Sequence, residues 1–559
     1  MVTLRWPGQC LVIAFISFTF TFDAALAVRP GLKIERGRRL SRIFQSFLED
    51  QTDLARDSDR NAAKDDQWQR PCEQCQGAFM NYFSALQTAT RPILVTVGIG
   101  MTIVVLTWLM MDTAQLFFLP ALFYWSKRLK LSSEMAAATL LALGNGAPDM
   151  ADAVAAAQLQ DLPLGLSDLG GANLCSLSWG NCLCLLVAYM VDPDAKTAVL
   201  EHQGHYLVLL AFYGGAIVLL SLSLQQATVN FWHVCALTAL YGAFLLYLLA
   251  RNKIEEQMEG ISGPTGRRRN SSTHVAMEDS LACLSPPDAD SWRISFAWAL
   301  LLPFTLVRMA TIPPCDLRWD TPRRVFHTMC PTGLYLLCRL LGYIPAPDFN
   351  GGVATAVVLI LITVTIFITG GTSSSAKMSG SALPWFYSGM SLLALVSSML
   401  WLSALSDEIT ASLEGLCRFY KISRLRSGFT LLAWGNCAGD LVAAYSISLM
   451  GEFSLAFHGL VASQFFNVAV GFSAALMTVT WKSSEKTLFD NGWPVDISHP
   501  LLACVGSILI VVAMQAVFSL VDLNVRSPCW SVALAANYGT FFIYMWMNTS
   551  AEVPYQLAG

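Results

Sequence analysis

The sequence predicts an all-α polytopic membrane protein made of two five-helix repeats with about two additional helices between them. Three observations predict it. Hydrophobic residues make up 54% of the 559 positions and charged residues only 13%, too little charge to cover a soluble protein of this length. Apolar runs of roughly 20 residues, enough to cross a bilayer as a helix, recur along most of the chain. Finally, residues 139–149, TLLALGNGAPD, return 291 positions later as TLLAWGNCAGD at 430–440, with eight of eleven residues identical. The net charge of −4 gives no electrostatic reason to expect a nucleic-acid partner; the lipid bilayer is the expected surrounding.

In chain order, Arg5, the apolar run at 11–22 and Ala25-Leu26-Ala27 read as a signal peptide over 1–27. Residues 28–92 are polar and form an extracytosolic N-terminal segment. Its Cys72 and Cys75 lack the second pair that a zinc site needs, so a local disulfide or two ordinary thiols are expected. Membrane repeat 1 occupies 93–250, with spans near 93–120, 132–158, 165–191, 205–223 and 228–250. A linker at 251–295 holds Arg267, Arg268 and Arg269. Residues 296–383 contain three less regular segments, 296–312, 325–344 and 353–371. Membrane repeat 2 occupies 384–550, with spans near 384–410, 426–450, 454–480, 499–521 and 529–548.

The offset of 291 holds without a gap from the first span into the third, so Ser176 falls on Asn467. A parity argument then fixes the middle of the chain. If the first repeat starts outside, its five crossings leave the linker inside. A second repeat of inverted topology must also start inside, so two of the three middle segments cross. Segment 296–312 carries Pro303 and Arg308 and suits the membrane interface, which leaves the other two as a hairpin. Lys127, Arg128, Lys130 and the linker arginines fit an inside placement, whereas Arg418, Lys421, Arg424 and Arg426 then fall outside.

A carboxylate at membrane depth is costly and marks a functional site. Two at matched positions of a repeat are what a transporter built from internal repeats contains. On a helix Asn145, Asp149 and Asp152 share one face, as do Asn436 and Asp440. Carboxylate, amide and backbone carbonyl oxygens are the ligands that hard cations such as Ca2+ and Na+ take. Pro148 has no N–H to bond the Gly144 carbonyl four residues earlier, which frees that oxygen, and Gly144 and Gly146 loosen the turn. In the second copy Gly439 replaces Pro148, so the Gly435 carbonyl is not forced free. The following span supplies neutral oxygens: Ser463 and Asn467 on one face of the second repeat, and Asn173 and Ser176 in the first. Gly170 and Gly171 allow close helix approach there.

At these residues the chain resembles the cation/calcium exchanger superfamily, whose signature is two inverted repeats, each with a G-[TSN]-x-x-P-[ED]-like helix followed by a G-S-x-x-x-N-like helix. GNGAPD, its partner GNCAGD and LPFTLVRMATIPPC after the linker are most similar to the sodium/calcium exchanger branch, over roughly 93–550. The resemblance implies a Ca2+/Na+ antiporter working by alternating access, with no enzymatic activity and no cofactor beyond the transported ions. It implies acidic ligands at Asp149 and Asp440, amide ligands at Asn145 and Asn436, and carbonyl ligands at Gly144 and Gly435. Ser463 and Asn467 match the second motif. The first copy departs from it, with Ala172 and Ser176 in the equivalent places and its asparagine displaced to Asn173.

Three rivals stand beside this reading. A proton-coupled cation exchanger uses similar carboxylates. An intramembrane aspartyl protease also needs two membrane aspartates, but its YD and GxGD motifs are absent, since Asp440 sits in CAGD. A channel would pass cations without a counter-ion. The signal peptide places the protein in endomembranes or the plasma membrane, with the mitochondrial inner membrane as the alternative that the resemblance offers. Homo-oligomerisation is compatible with the sequence.

Overall fold

A computed structural model describes residues 80–158, 162–191, 203–225, 228–262, 292–314, 321–340, 349–373, 383–422, 424–482, 493–494, 499–521 and 528–548. The expected signal peptide, Cys72, Cys75 and the linker arginines lie outside these residues. The described residues are almost entirely helical. After a short helix α1 (Tyr82–Thr88), the first repeat consists of α2 (Pro92–Arg128), α3 (133–158), α4 (162–191), α5 (Gln203–Gln225) and α6 (Phe231–Ser262). Helices α7 (Trp292–Thr311), α8 (Thr321–Leu340) and α9 (Phe349–Ser373) follow. The second repeat is α10 (Leu383–Phe419), α11 (424–449), α12 (453–482), α13 (His499–Val521) and α14 (Pro528–Asn548). Two-residue strands β1 (Thr228–Val229) and β2 (Trp493–Pro494) pair antiparallel, Val229 opposite Trp493.

The repeat register read from eleven residues extends over three whole helices. Displaced by 291, α2, α3 and α4 begin and end where α10, α11 and α12 do. The correspondence reaches into backbone detail. Each motif helix enters through a π-turn, Ala137–Leu141 in one copy and Gly428–Leu432 in the other. The helix after it contains a second, at Ser176–Gly180 and Asn467–Gly471. Two residues past the end of each of α2 and α10 stands a lysine in the left-handed region, Lys130 (φ 53) and Lys421 (φ 54). Leu131 and Ile422 then donate back to the carbonyls of Ser126 and Cys417, each at 2.9 Å, and Lys130 and Lys421 to those of Lys127 and Arg418, each at 3.2 Å, the paired hydrogen bonds that close a helix C-terminus.

The motif helices depart from expectation in one respect. Residues Ala142–Gln158 and Ala433–Leu449 are continuous α-helix, so the chain does not unwind at GNGAPD. The irregularity expected from Pro148 and the glycines sits one turn earlier, in the π-turns, where one inserted residue displaces the backbone bonds; such bulges concentrate at functional sites.

Among the described residues seven helices are long and apolar enough to cross a membrane. Two are far more enclosed than the rest: 83% of the apolar window is buried in both Ser167–Met190 and Phe453–Met477, against 50% or less elsewhere. α4 and α12 are therefore the most enclosed of these seven helices. The motif helices are not among the seven, because their polar residues lower their hydropathy.

By contact the chain divides into two compact units, one comprising residues up to Trp108 with Glu408–Ile422, the other Leu109–Asp407 with Ser423 onward. In the first, α1 lies against the end of α10. Tyr82 donates to the buried carboxylate of Glu408 at 2.5 Å. Burial and that neighbouring carboxylate push the Tyr82 phenol well above its ordinary range, so it remains a donor. Asn81 caps α1 through the Ser84 amide.

In the second unit each repeat packs across the other. α3 lies against α12, and α4 against α11. The glycine expected to allow close approach does so: a Cβ on Gly171 would lie 2.7 Å from Ala433 Cβ and 2.8 Å from the Phe429 carbonyl oxygen. α7 packs on α8 and α8 on α9. Arg308, the charge that favoured an interfacial position for 296–312, is 1% exposed and paired with Asp112 of α2 at 2.6 Å. It also donates to Thr113 Oγ1, the Leu109 carbonyl and Thr305 Oγ1.

Candidate functional site

Asp440 lies on α11 one turn after Asn436 and is 3% exposed. Its carboxylate collects donors from both repeats. Ser463 Oγ donates to Oδ1 at 2.9 Å, and Gln464 Nε2 donates to Oδ2. From the first repeat, Ser176 Oγ donates to Oδ2 at 3.3 Å, and the Asn145 side chain also hydrogen-bonds this carboxylate. Asp149, on α3, accepts from Asn467 Nδ2 of the second repeat at 2.5 Å. Hydrogen bonds to an ionised acceptor are the strong class, and these donors hold the two carboxylates where α3, α4, α11 and α12 meet.

The structure thus brings Asn145, Asp149, Ser176, Asp440, Ser463 and Asn467 together. It does not do so for Asn173. The amide of Asn173 donates to the Leu169 carbonyl at 2.7 Å and its oxygen accepts from Tyr213 of α5 at 3.0 Å, so both ends serve packing. The Gly435 carbonyl accepts from Ser406 Oγ at 3.0 Å, which occupies one of its lone pairs. Gly144 packs against α2 and α10, where a Cβ would meet Phe118 Cζ and Met399 Cε at 3.0 Å. Asn436 does not turn to either motif aspartate: its amide donates to Asp168 of α4. The side chain of Asp152 lies outside the described residues.

Two residues of this centre escaped the sequence reading. Gln464 is the counterpart of Asn173 at the offset of 291 and was visible as such; its extra methylene takes it to Asp440, whereas the shorter Asn173 is held by Tyr213. Asp168 has no acidic counterpart, since the matching residue is Gly459, and a search keyed on the repeat passes over it. Its signal was that of any lone carboxylate inside an apolar span.

Chemically the centre is rich in hard oxygen. Besides the carboxylates, Gln464 Oε1 and Asn467 Oδ1 are buried without a hydrogen-bond donor, in side chains that are 0% and 1% exposed. Buried acceptors are normally satisfied. Two orphan oxygens on the amides that hold Asp440 and Asp149 suit a cation as the missing partner. Among the described residues no three His, Cys, Asp or Glu side chains gather as a metal cluster, so neutral oxygens make up the remainder of any coordination shell.

Comparison with known proteins agrees with this organisation. The chain is 27% identical to cation/calcium exchanger 2 of Arabidopsis thaliana over 72% of its own length and 75% of that protein. It is 24% identical to the mitochondrial sodium/calcium exchanger protein of Homo sapiens over 84% of each chain. Among solved structures, one of the sodium-calcium exchanger NCX_Mj aligns over 81% of this chain and 99% of its own at 10% identity, with a TM-score of 0.44. The family model described as sodium/calcium exchanger protein matches residues 97–250 and 390–547. These two stretches cover both repeats and more than half of the sequence, and the chain belongs to the sodium/calcium exchanger protein family.

Proposed function

We propose that the protein is a secondary active antiporter that exchanges Ca2+ for Na+ at the Asp149/Asp440 centre by alternating access. One observation carries the reading: the carboxylates of the two repeats are held by donors from the opposite repeat, Ser176 and Asn145 on Asp440 and Asn467 on Asp149. A site built this way cannot keep its geometry while one repeat moves against the other, so a bound ion and a conformational step are linked. Two carboxylates are balanced by one Ca2+ or two Na+. Left empty, two negative charges at membrane depth are costly, which favours exchange over uniport. The names of the Homo sapiens and Arabidopsis thaliana relatives support cation/calcium exchange, and the first supports Na+ as the counter-ion.

Reconstituted protein tests the coupling ion. With an outward Na+ gradient and equal pH on both sides, 45Ca2+ uptake is expected to proceed; with a pH gradient and no Na+, it is expected to stop. Uptake driven by pH alone would establish the proton-coupled alternative. We place the protein in endomembranes or the plasma membrane, for calcium homeostasis there, on the strength of the signal-like N-terminus. The human relative's name supports a mitochondrial membrane as the second reading, and imaging of a C-terminally tagged full chain decides between them.

A further inference from the structure

Two thiols face each other across the contact between the repeats. Cys175 of α4 directly precedes Ser176, and Cys437 of α11 stands three residues before Asp440. Their side chains hydrogen-bond one another, and both are free thiols, 2% and 0% exposed. The Cys437 thiol also donates to the Trp434 carbonyl at 3.6 Å. Tyr538 of α14 hydrogen-bonds Cys175 and accepts from Trp434 Nε1, so a closed polar ring holds both sulfurs. The backbones are close as well. Gly171 and Ala433 lie one turn earlier on the same faces of the two helices, and a Cβ on Gly171 would lie 2.7 Å from Ala433 Cβ. Helices that nearly touch at one rung bring the next within reach of a disulfide, whose Cβ atoms stand about 3.5–4.5 Å apart. At the offset of 291 the mirror contact sets Gly146 against Phe466, so the facing thiols belong to one half of the centre alone.

We propose that Cys175 and Cys437 form an oxidative modification site: a peroxide-class oxidant links them, and the disulfide ties α4 to α11 and arrests transport. One sulfur takes an oxygen atom from the peroxide, becoming a sulfenic acid and releasing water. The second thiol displaces that oxygen as another water, so two S–H bonds are lost, one S–S bond forms and the peroxide is fully reduced. A dithiol reverses the link by exchange. The pair is buried, and the opening of the centre to water that the exchange proposed above requires is what admits so small an oxidant; the inference rests on that reading. The consequence is geometric. Ser176 donates to Asp440 at 3.3 Å, and an S–S bond between their close neighbours in the chain fixes the two helices that carry them.

The full chain in liposomes is treated with hydrogen peroxide during Ca2+ uptake, digested without reduction and analysed by mass spectrometry. A peptide joining Cys175 to Cys437 is expected, with 45Ca2+ uptake falling in step with the cross-linked fraction and returning with dithiothreitol. Untreated Cys175→Ser and Cys437→Ala are expected to take up Ca2+ near the wild-type rate and to keep that rate under peroxide. No linked peptide in the wild type overturns the inference, as does a linked peptide with undiminished uptake. Wild-type sensitivity to peroxide in both variants also overturns it, because the lesion then lies elsewhere. Should a variant fold poorly, the linked peptide and the dithiothreitol recovery of the wild type still decide. Wild-type uptake that follows a pH gradient and ignores Na+ removes the exchange reading alone, since the link and its effect are read on either flux.

Discussion

At the residue scale the two motifs differ where their partners differ. A Cβ on Gly146 would lie 2.6 Å from Asn467 Oδ1 and 2.6 Å from Phe466 Cδ1. The equivalent residue of the second copy is Cys437, which meets the smaller Cys175 in a side-chain hydrogen bond. Gly146 is small because it backs the asparagine that holds Asp149, while the Ser176 side leaves room. Gly146→Ala is expected to overpack this contact at a cost of about 1–3 kcal/mol and to raise the Ca2+ half-saturation of flux by about tenfold. Cys437→Ala should leave it near wild type. Titrating 45Ca2+ uptake in the two variants checks the asymmetry. Asp149 and Asp440 were legible because the repeat pairs them and the bilayer penalises them. Asp168 was not, since it breaks the repeat, and the Tyr213 partner of Asn173 was not, since it lies a span away and no local pattern places it.

At the element scale, the starts of α2 to α4 and α10 to α12 fall within three residues of the expected apolar runs, whereas α2 and α10 continue eight and nine residues past them. The π-turns were not legible, because one extra residue in a turn leaves no mark on hydrophobic spacing. The break expected at GNGAPD is replaced by continuous helix, and the π-turn upstream occurs in both copies although only the first has a proline. Segment 296–312 was read from Pro303 and Arg308, without the partner of that charge. Asp112 sits 196 positions earlier, and only the fold shows that the charge is matched. Arg308→Met alone leaves Asp112 uncompensated beside the core and is expected to destabilise the protein by about 3–5 kcal/mol, whereas Arg308→Met with Asp112→Leu should recover most of that. Thermal unfolding of the purified variants in detergent measures both. A double variant no more stable than the single one would show that the pair does not link α7 to α2.

At the scale of the whole molecule, repeat 1 and repeat 2 supply one another's ligand supports, so neither makes the centre alone. That crossing was partly legible: the gap-free register set Ser176 on Asn467 and so put both spans at one site. Which repeat each donor serves depends on how α3 meets α12 and α4 meets α11, and this is a property of packing. The proposed exchange is expected to be obligatory, because the empty centre carries two uncompensated charges. Efflux of 45Ca2+ into medium free of Na+ and Ca2+ should run about tenfold or more slower than into either cation, given the cost of an unbalanced intramembrane carboxylate. Equal rates would indicate a channel-like path.

The most direct measurement of the central claim is Na+-driven 45Ca2+ uptake by full-length protein in liposomes, comparing wild type with Asp149→Asn and Asp440→Asn. Each substitution keeps the shape and removes one charge from the shared site. Uptake is predicted to fall by about 100-fold or more in both, the scale of roughly 3 kcal/mol for an intramembrane carboxylate. Wild-type uptake in either variant would contradict the account.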